Sequence, residues 1–203
     1  LDAVLHGRTQ EVKNLLDAGV DVNVKNAKGD SAIIIAASKT RRNEHDIVKL
    51  LLDRGADVNA TNGSIPVIIS AIVAGDNNRM VKLLLDRGAN PNATGLDNHT
   101  ALMFAVYEGE NPVVKTLLDA GADPNIPDIY GKTPLMMLSD DDNPRTQGNT
   151  MNISKMLLAK GANVNTQNTA GNTALFFAAR GGWTAMVKRL LYAGADKTLK
   201  NKQ

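Results

Sequence analysis

Apolar residues recur at helical spacing in six separate segments of the chain, each with a polar residue set off the apolar face. The segments read Val12-Lys13-Asn14-Leu15-Leu16, Val48-Lys49-Leu50-Leu51-Leu52, Val81-Lys82-Leu83-Leu84-Leu85, Val114-Lys115-Thr116-Leu117-Leu118, Ser154-Lys155-Met156-Leu157-Leu158 and Val187-Lys188-Arg189-Leu190-Leu191. A few residues later each runs into a short phrase that opens on glycine: Gly19-Val20-Asp21, Gly55-Ala56-Asp57, Gly88-Ala89-Asn90, Gly121-Ala122-Asp123, Gly161-Ala162-Asn163 and Gly194-Ala195-Asp196. Glycine at that place supplies the left-handed residue that closes a helix. The pattern therefore predicts six amphipathic helices, each ended by its phrase. The glycines are spaced 36, 33, 33, 40 and 33 residues apart, which is a repeat.

A second motif follows the phrase. It is clearest in Gly131-Lys132-Thr133-Pro134-Leu135-Met136 and Gly171-Asn172-Thr173-Ala174-Leu175-Phe176. Weaker copies are Gly29-Asp30-Ser31-Ala32-Ile33-Ile34, Gly63-Ser64-Ile65-Pro66-Val67-Ile68 and Asn98-His99-Thr100-Ala101-Leu102-Met103. Thr or Ser caps a helix start, and Pro fits the first helical position. Each unit thus reads as turn, short helix, loop, longer helix, turn.

The two motifs, kept in register, resemble the ankyrin-repeat family over the chain from about Ala3 to about Leu199. The resemblance implies an all-α repeat solenoid of about six helix-turn-helix units with projecting hairpin loops, stacked in a curve. It implies one domain over 1–203, with units at approximately 1–26, 27–60, 61–95, 96–128, 129–168 and 169–203, the first truncated. It also implies a protein–protein interaction scaffold, without catalysis, that uses its concave helix surface and hairpin tips. The family's usual His, fourth in its Thr-Pro-Leu-His motif, is replaced here by Ile34, Ile68, Met103, Met136 and Phe176, so apolar packing is expected there.

Composition narrows the functional classes. Aromatic residues make up 3% of the chain, so the core must be filled by Leu, Ile, Val, Met and Ala in thin layers. With no cysteine there is no disulfide framework, thiolate metal site or cysteine nucleophile. A net charge of +2 gives no strong field, so neither nucleic acid nor membrane insertion is expected. A soluble protein, with the cytoplasm favoured, fits this balance; the chain starts at Leu1 without an initiator Met, so export stays open. A monomer is expected, with end-to-end pairing through the truncated first unit as the alternative.

Lys13–Asp17, Lys49–Asp53, Lys82–Asp86 and Lys115–Asp119 are four apart and predict ion pairs along the longer helices. In the last two units Ala159 and Tyr192 replace the acid, so the outer face becomes more basic toward the C-terminus. Two stretches depart from the repeat and predict surface loops: Ser38–Asp46, with Lys39, Arg41, Arg42, Glu44 and His45, and Ser139–Met151.

No catalytic, metal or cofactor site is predicted. His6, His45 and His99 fall in different units without ligand spacing. Asp140-Asp141-Asp142 fails the calcium-loop pattern, with Arg145 and Met151 where Gly and Glu belong. No phosphate-cradling glycine motif is present.

By analogy with the family, the partner-binding surface comprises residues late in each shorter helix: Lys39, Ile72, Val73, Tyr107, Glu108, Asp140, Asp141 and Arg180, with Trp183 just beyond. Asp128, Ile129 and Tyr130 join them at a hairpin tip. Tyr107, Arg180 and Trp183 lead, because aromatic and Arg side chains anchor interfaces. The alternative function is an accessory or regulatory fragment of a larger enzyme or effector whose catalytic part lies outside this chain.

Overall fold

A computed structural model describes residues 1–39, 43–75, 78–140 and 148–202. The chain forms two compact halves, Leu1–Leu96 and Asp97–Gln203. The first half contains helices α1 (Asp2–Leu5), α2 (Thr9–Asp17), α3 (Ala32–Ala37), α4 (Glu44–Asp53), α5 (Val67–Val73) and α6 (Arg79–Asp86), with strands β1 (Thr61–Asn62) and β2 (Ile65–Pro66). The second half contains α7 (Ala101–Tyr107), α8 (Asn111–Asp119), α9 (Pro134–Ser139), α10 (Thr150–Ala159), α11 (Ala174–Arg180) and α12 (Thr184–Tyr192). Within each half, short helices stack on short helices and long on long, so both are helical repeats. Glu44, His45 and Asp46 lie in α4 and not in the loop that the repeat spacing suggested, and Thr150 and Met151 likewise open α10.

The capping residues behave as the motif predicts in the second half. The hydroxyls of Thr100, Thr133 and Thr173 accept the backbone N–H of Met103, Met136 and Phe176 at 3.1, 3.4 and 3.2 Å. Pro134 takes the first helical position. Ser31 stands at the same place before α3 without making a cap bond.

The third repeat shows a register correction. β1 and β2 form a tight antiparallel hairpin pairing Thr61 with Pro66 and Asn62 with Ile65. This hairpin is one residue shorter than those opening on Asn26, Asp128 and Asn168, so Pro66 becomes the cap of α5 and not its first residue. Every later position moves by one. Ile69, not Ile68, then matches Met103 and Met136; all three are at most 1% exposed, and Ile34 is 4% exposed. Apolar packing does fill the place of the family's histidine.

Burial follows the repeat. Leu51, Leu84, Leu117, Leu157 and Leu190 are equivalent leucines of the long helices, and none exceeds 1% exposure. Leu15, their counterpart in the first repeat, is 40% exposed. The phrase glycines that end the long helices all have φ between +83° and +92°, the left-handed conformation that a side chain resists.

Polar side chains knit neighbouring repeats together. Asn125 Oδ1 accepts the Asn163 N–H at 2.7 Å while its Nδ2 donates to the Gly161 carbonyl at 3.0 Å. Asn165 does the same for Asp196 and Gly194, at 2.8 and 3.2 Å, and Asn23 does so for Asp57 and Gly55, at 2.9 and 3.4 Å. The acids of the long helices also reach across repeats. Asp17 pairs with Arg54 and Asp53 with Arg87, each at 2.8 Å, while Asp119 takes both Lys115 and Lys160. Of the four within-helix pairs predicted, Lys115–Asp119 is the one formed among the described residues. In the first two of these repeats the carboxylate at the end of the long helix meets the Arg that begins the next repeat's turn, and Asp119 keeps its own helix's Lys115 as well as the next repeat's Lys160.

Candidate functional site

The site is built on the ends of three short helices in the second half. Tyr107, Asp140 and Arg180 each lie seven residues after a capping Thr, so they occupy one equivalent position in three successive repeats. Phe104, Met137 and Phe177 lie three residues earlier, on the same helix faces. Because α7 packs on α9 and α9 on α11, these positions form two parallel rows.

At one end of the rows, His99, Met103, Phe104, Tyr107 and Met137 line a cavity of about 240 Å³. The His99 and Phe104 rings stand 5.9 Å apart at 60°. Tyr107 is 49% exposed at its mouth. Its surroundings are apolar and polarizable, which suits an inserted aliphatic or aromatic side chain. At the other end, Asp140 accepts from Lys132 Nζ at 2.8 Å and from Arg180 at 2.7 Å. Both cations also approach the buried Phe177 ring, at 5.1 and 5.3 Å from its centroid. The arrangement fixes a charged cluster beside an apolar groove and holds the long Lys132 and Arg180 side chains in place.

The hairpin before α9 has its own logic. Asp128 is 6% exposed, and its Oδ1 accepts the N–H groups of Tyr130 and Lys132 at 2.9 and 2.8 Å. Thus Asp128 shapes the turn and is no contact residue, a correction to its expected role at the tip. It holds Ile129 and Tyr130 outward, 54% and 57% exposed. Thr169 of the next hairpin donates both its N–H and its hydroxyl to the Tyr130 carbonyl, at 3.0 and 2.9 Å, which steadies the tip.

The other predicted residues scatter. Ile72 is 3% exposed and belongs to the core, the direct result of the one-residue shift in α5, whereas Val73 is 58% exposed. Lys39, half-buried beyond the end of α3, borders a separate cavity with Leu5, Ile35 and Ser38. Glu108 is half-buried at the end of α7, and Trp183 is half-buried at the cap of α12. Asp141 lies outside the described residues. Three residues that matter here, Phe104, Met137 and Lys132, were missed by reading only helix ends; counting four residues on from each cap finds the first two.

Among the described residues no group of three or more His, Asp or Glu is placed to hold a metal ion, and no helix is long and apolar enough to cross a membrane.

Repeated helix pairs, threonine caps and hairpins bound to one another define an ankyrin-type repeat protein. A profile of ankyrin repeats, in three copies, matches residues 1–94, 67–144 and 102–201, and the chain belongs to the ankyrin-repeat family. The crystal structure of an ankyrin repeat domain from Acinetobacter baumannii AYE superposes with a TM-score of 0.86 at 29% identity, covering 96% of each chain. A B-cell lymphoma 3 protein homolog from Mus musculus is 42% identical over 55 residues, 27% of this chain and 12% of that protein. The chain therefore matches only a small part of that longer relative. Ankyrin repeats are protein–protein interaction modules, and the family is generally a non-catalytic binding scaffold.

Proposed function

We propose that this chain is a non-catalytic scaffold that binds a partner protein across the short-helix ends of its second half. The observation that carries the reading is the open groove of His99, Phe104, Tyr107 and Met137 beside the Lys132–Asp140–Arg180 cluster. A half-exposed Tyr at the mouth of an apolar pocket and a fixed Arg at the other end of the same row are residue types enriched among the anchors of protein interfaces. The tip residues Ile129 and Tyr130 extend this surface.

Capture from a lysate of the source organism tests the reading. Wild-type chain is compared with a folded Tyr107→Asp/Arg180→Glu variant. A partner retained by wild type and lost by the variant supports the groove. A partner held equally by both moves the interface elsewhere and refutes this placement.

A further inference from the structure

Charge is distributed unevenly along this chain. Residues 151–203 carry eight Lys and Arg against one acid, Asp196, for a local net charge of +7, while the remaining 150 residues are net −5. Part of that positive charge is neutralised. Lys160 pairs with Asp119, and Arg180 with Asp140. Lys155, Lys188 and Arg189 have no ion pair among the described residues.

These three cations border a single groove between α10 and α12. Its apolar surface comes from Met151, Leu158 and Tyr192, and no carboxylate lines it. Lys155 and Lys188 are the equivalents of Lys115, whose charge is met by Asp119 one turn on; here Ala159 and Tyr192 stand in place of that acid. Arg189 adds a cation where the other long helices have Asn, Leu, Thr or Met, and its Nε is buried without an acceptor. Tyr192 is 97% exposed, in a protein with few aromatic residues.

We propose that this groove is a second interaction surface, and that its occupant is an acidic amphipathic segment of a partner protein. Carboxylates of that segment meet Lys155, Lys188 and Arg189, and its apolar side chains rest on Met151, Leu158 and Tyr192. Charge complementarity selects an anion. The apolar surface between the cations selects a peptide over a polynucleotide, which would need a row of stacking rings where the groove offers one. An anionic membrane surface would not enter a recess. The groove lies on long helices, whereas the surface proposed above lies on short-helix ends, so the two proposals stand independently.

Fluorescence anisotropy of the full chain tests it. The probe is a labelled helical peptide with Glu and Leu on one face, set against the same peptide with Gln for Glu, single-stranded oligothymidine and phosphatidylserine vesicles. The Glu peptide should bind, weaken as salt rises, and lose about tenfold or more in affinity to Lys155→Glu/Lys188→Glu. Tyr192→Ala should weaken it several-fold, and Tyr107→Asp should leave it unchanged. These positions are exposed, and matched melting curves confirm that the variants fold. Equal binding of the Gln peptide, absence of binding, no effect of the charge reversals, or tighter binding of oligothymidine or vesicles would each overturn the proposal.

Discussion

Asn125→Ala should loosen the stack between two neighbouring repeats without touching the hydrophobic core. The side chain makes two bonds to the next repeat, one accepted from Asn163 N–H and one donated to Gly161 O. Its own N–H donates to Asp123 Oδ1 at 2.8 Å, and that turn bond survives the substitution. Two net hydrogen bonds are worth about 1–3 kcal/mol. Asn125 is half-buried and Asn163 exposed, so water replaces part of the loss, and about 1–1.5 kcal/mol remains. For a chain of 203 residues that corresponds to a fall in Tm of about 2–6 °C. Circular dichroism at 222 nm follows the melt, and amide exchange follows Asn163 itself, whose N–H should lose protection. Thr198→Ala is the control. Thr198 occupies the equivalent place in the last repeat, but its hydroxyl turns back to Asp196 at 2.7 Å and reaches no other repeat. If Asn125→Ala melts with Thr198→Ala and Asn163 exchange is unchanged, the asparagine ladder contributes nothing to the stack.

Two further outcomes follow from burial and charge. Leu117→Ala should cost about 2–5 kcal/mol in urea unfolding, while Leu15→Ala, at the equivalent but 40% exposed position, should cost clearly less; equal costs would refute the alignment of the repeats. The Asp119 carboxyl is held down to about 2, first by the hydrogen bond from Lys115 and then by that from Lys160. A depressed folded value means that the ion pair contributes its stability in full above the unfolded carboxylate value of about 4 and loses it as pH falls from there toward 2. Carbon-13 NMR titration should place the midpoint near 2, and Lys115→Met should raise it; an unmoved midpoint would exclude Lys115 as the main cause.

The fold was legible because its determinants are local and repeated. Gly121 after the last apolar residue, Thr133 before Pro134 and the leucine spacing each state a helix boundary or face in a few adjacent residues. What escaped depends on which repeat lies next to which. Asp53 has Lys49 one turn back on its own helix, and only stacking brings Arg87 to 2.8 Å from it. Asn125 looks like an ordinary turn residue until the next repeat's Gly161 and Asn163 are set beside it. The misplacement of Ile72 came from a shorter hairpin: reading Pro66 as the first helical residue is natural, and only the Thr61–Pro66 pairing makes it the cap. For the candidate site, Tyr107 and Arg180 were visible as exposed-type residues at helix ends. The cavity needed Met137, from the neighbouring repeat, and no single-helix pattern supplies that.

A repeat protein offers an internal comparison that a single-core domain lacks. Positions that the fold requires hold one chemistry in repeat after repeat: the leucines equivalent to Leu117, the phrase glycines and the linking asparagines. The position seven residues after each cap is under no such demand. It holds Ser38, Val73, Tyr107, Asp140 and Arg180, a hydroxyl, an aliphatic, a phenol, an acid and a base. Packing cannot explain that spread, because these side chains stand at the surface or partly exposed. The same holds for Tyr192, which stands where four other repeats place an aspartate. Where the scaffold permits any residue and the repeats disagree, the choice at each place is free to be set by what binds there. Both proposed surfaces are drawn from such positions, one on the short helices and one on the long.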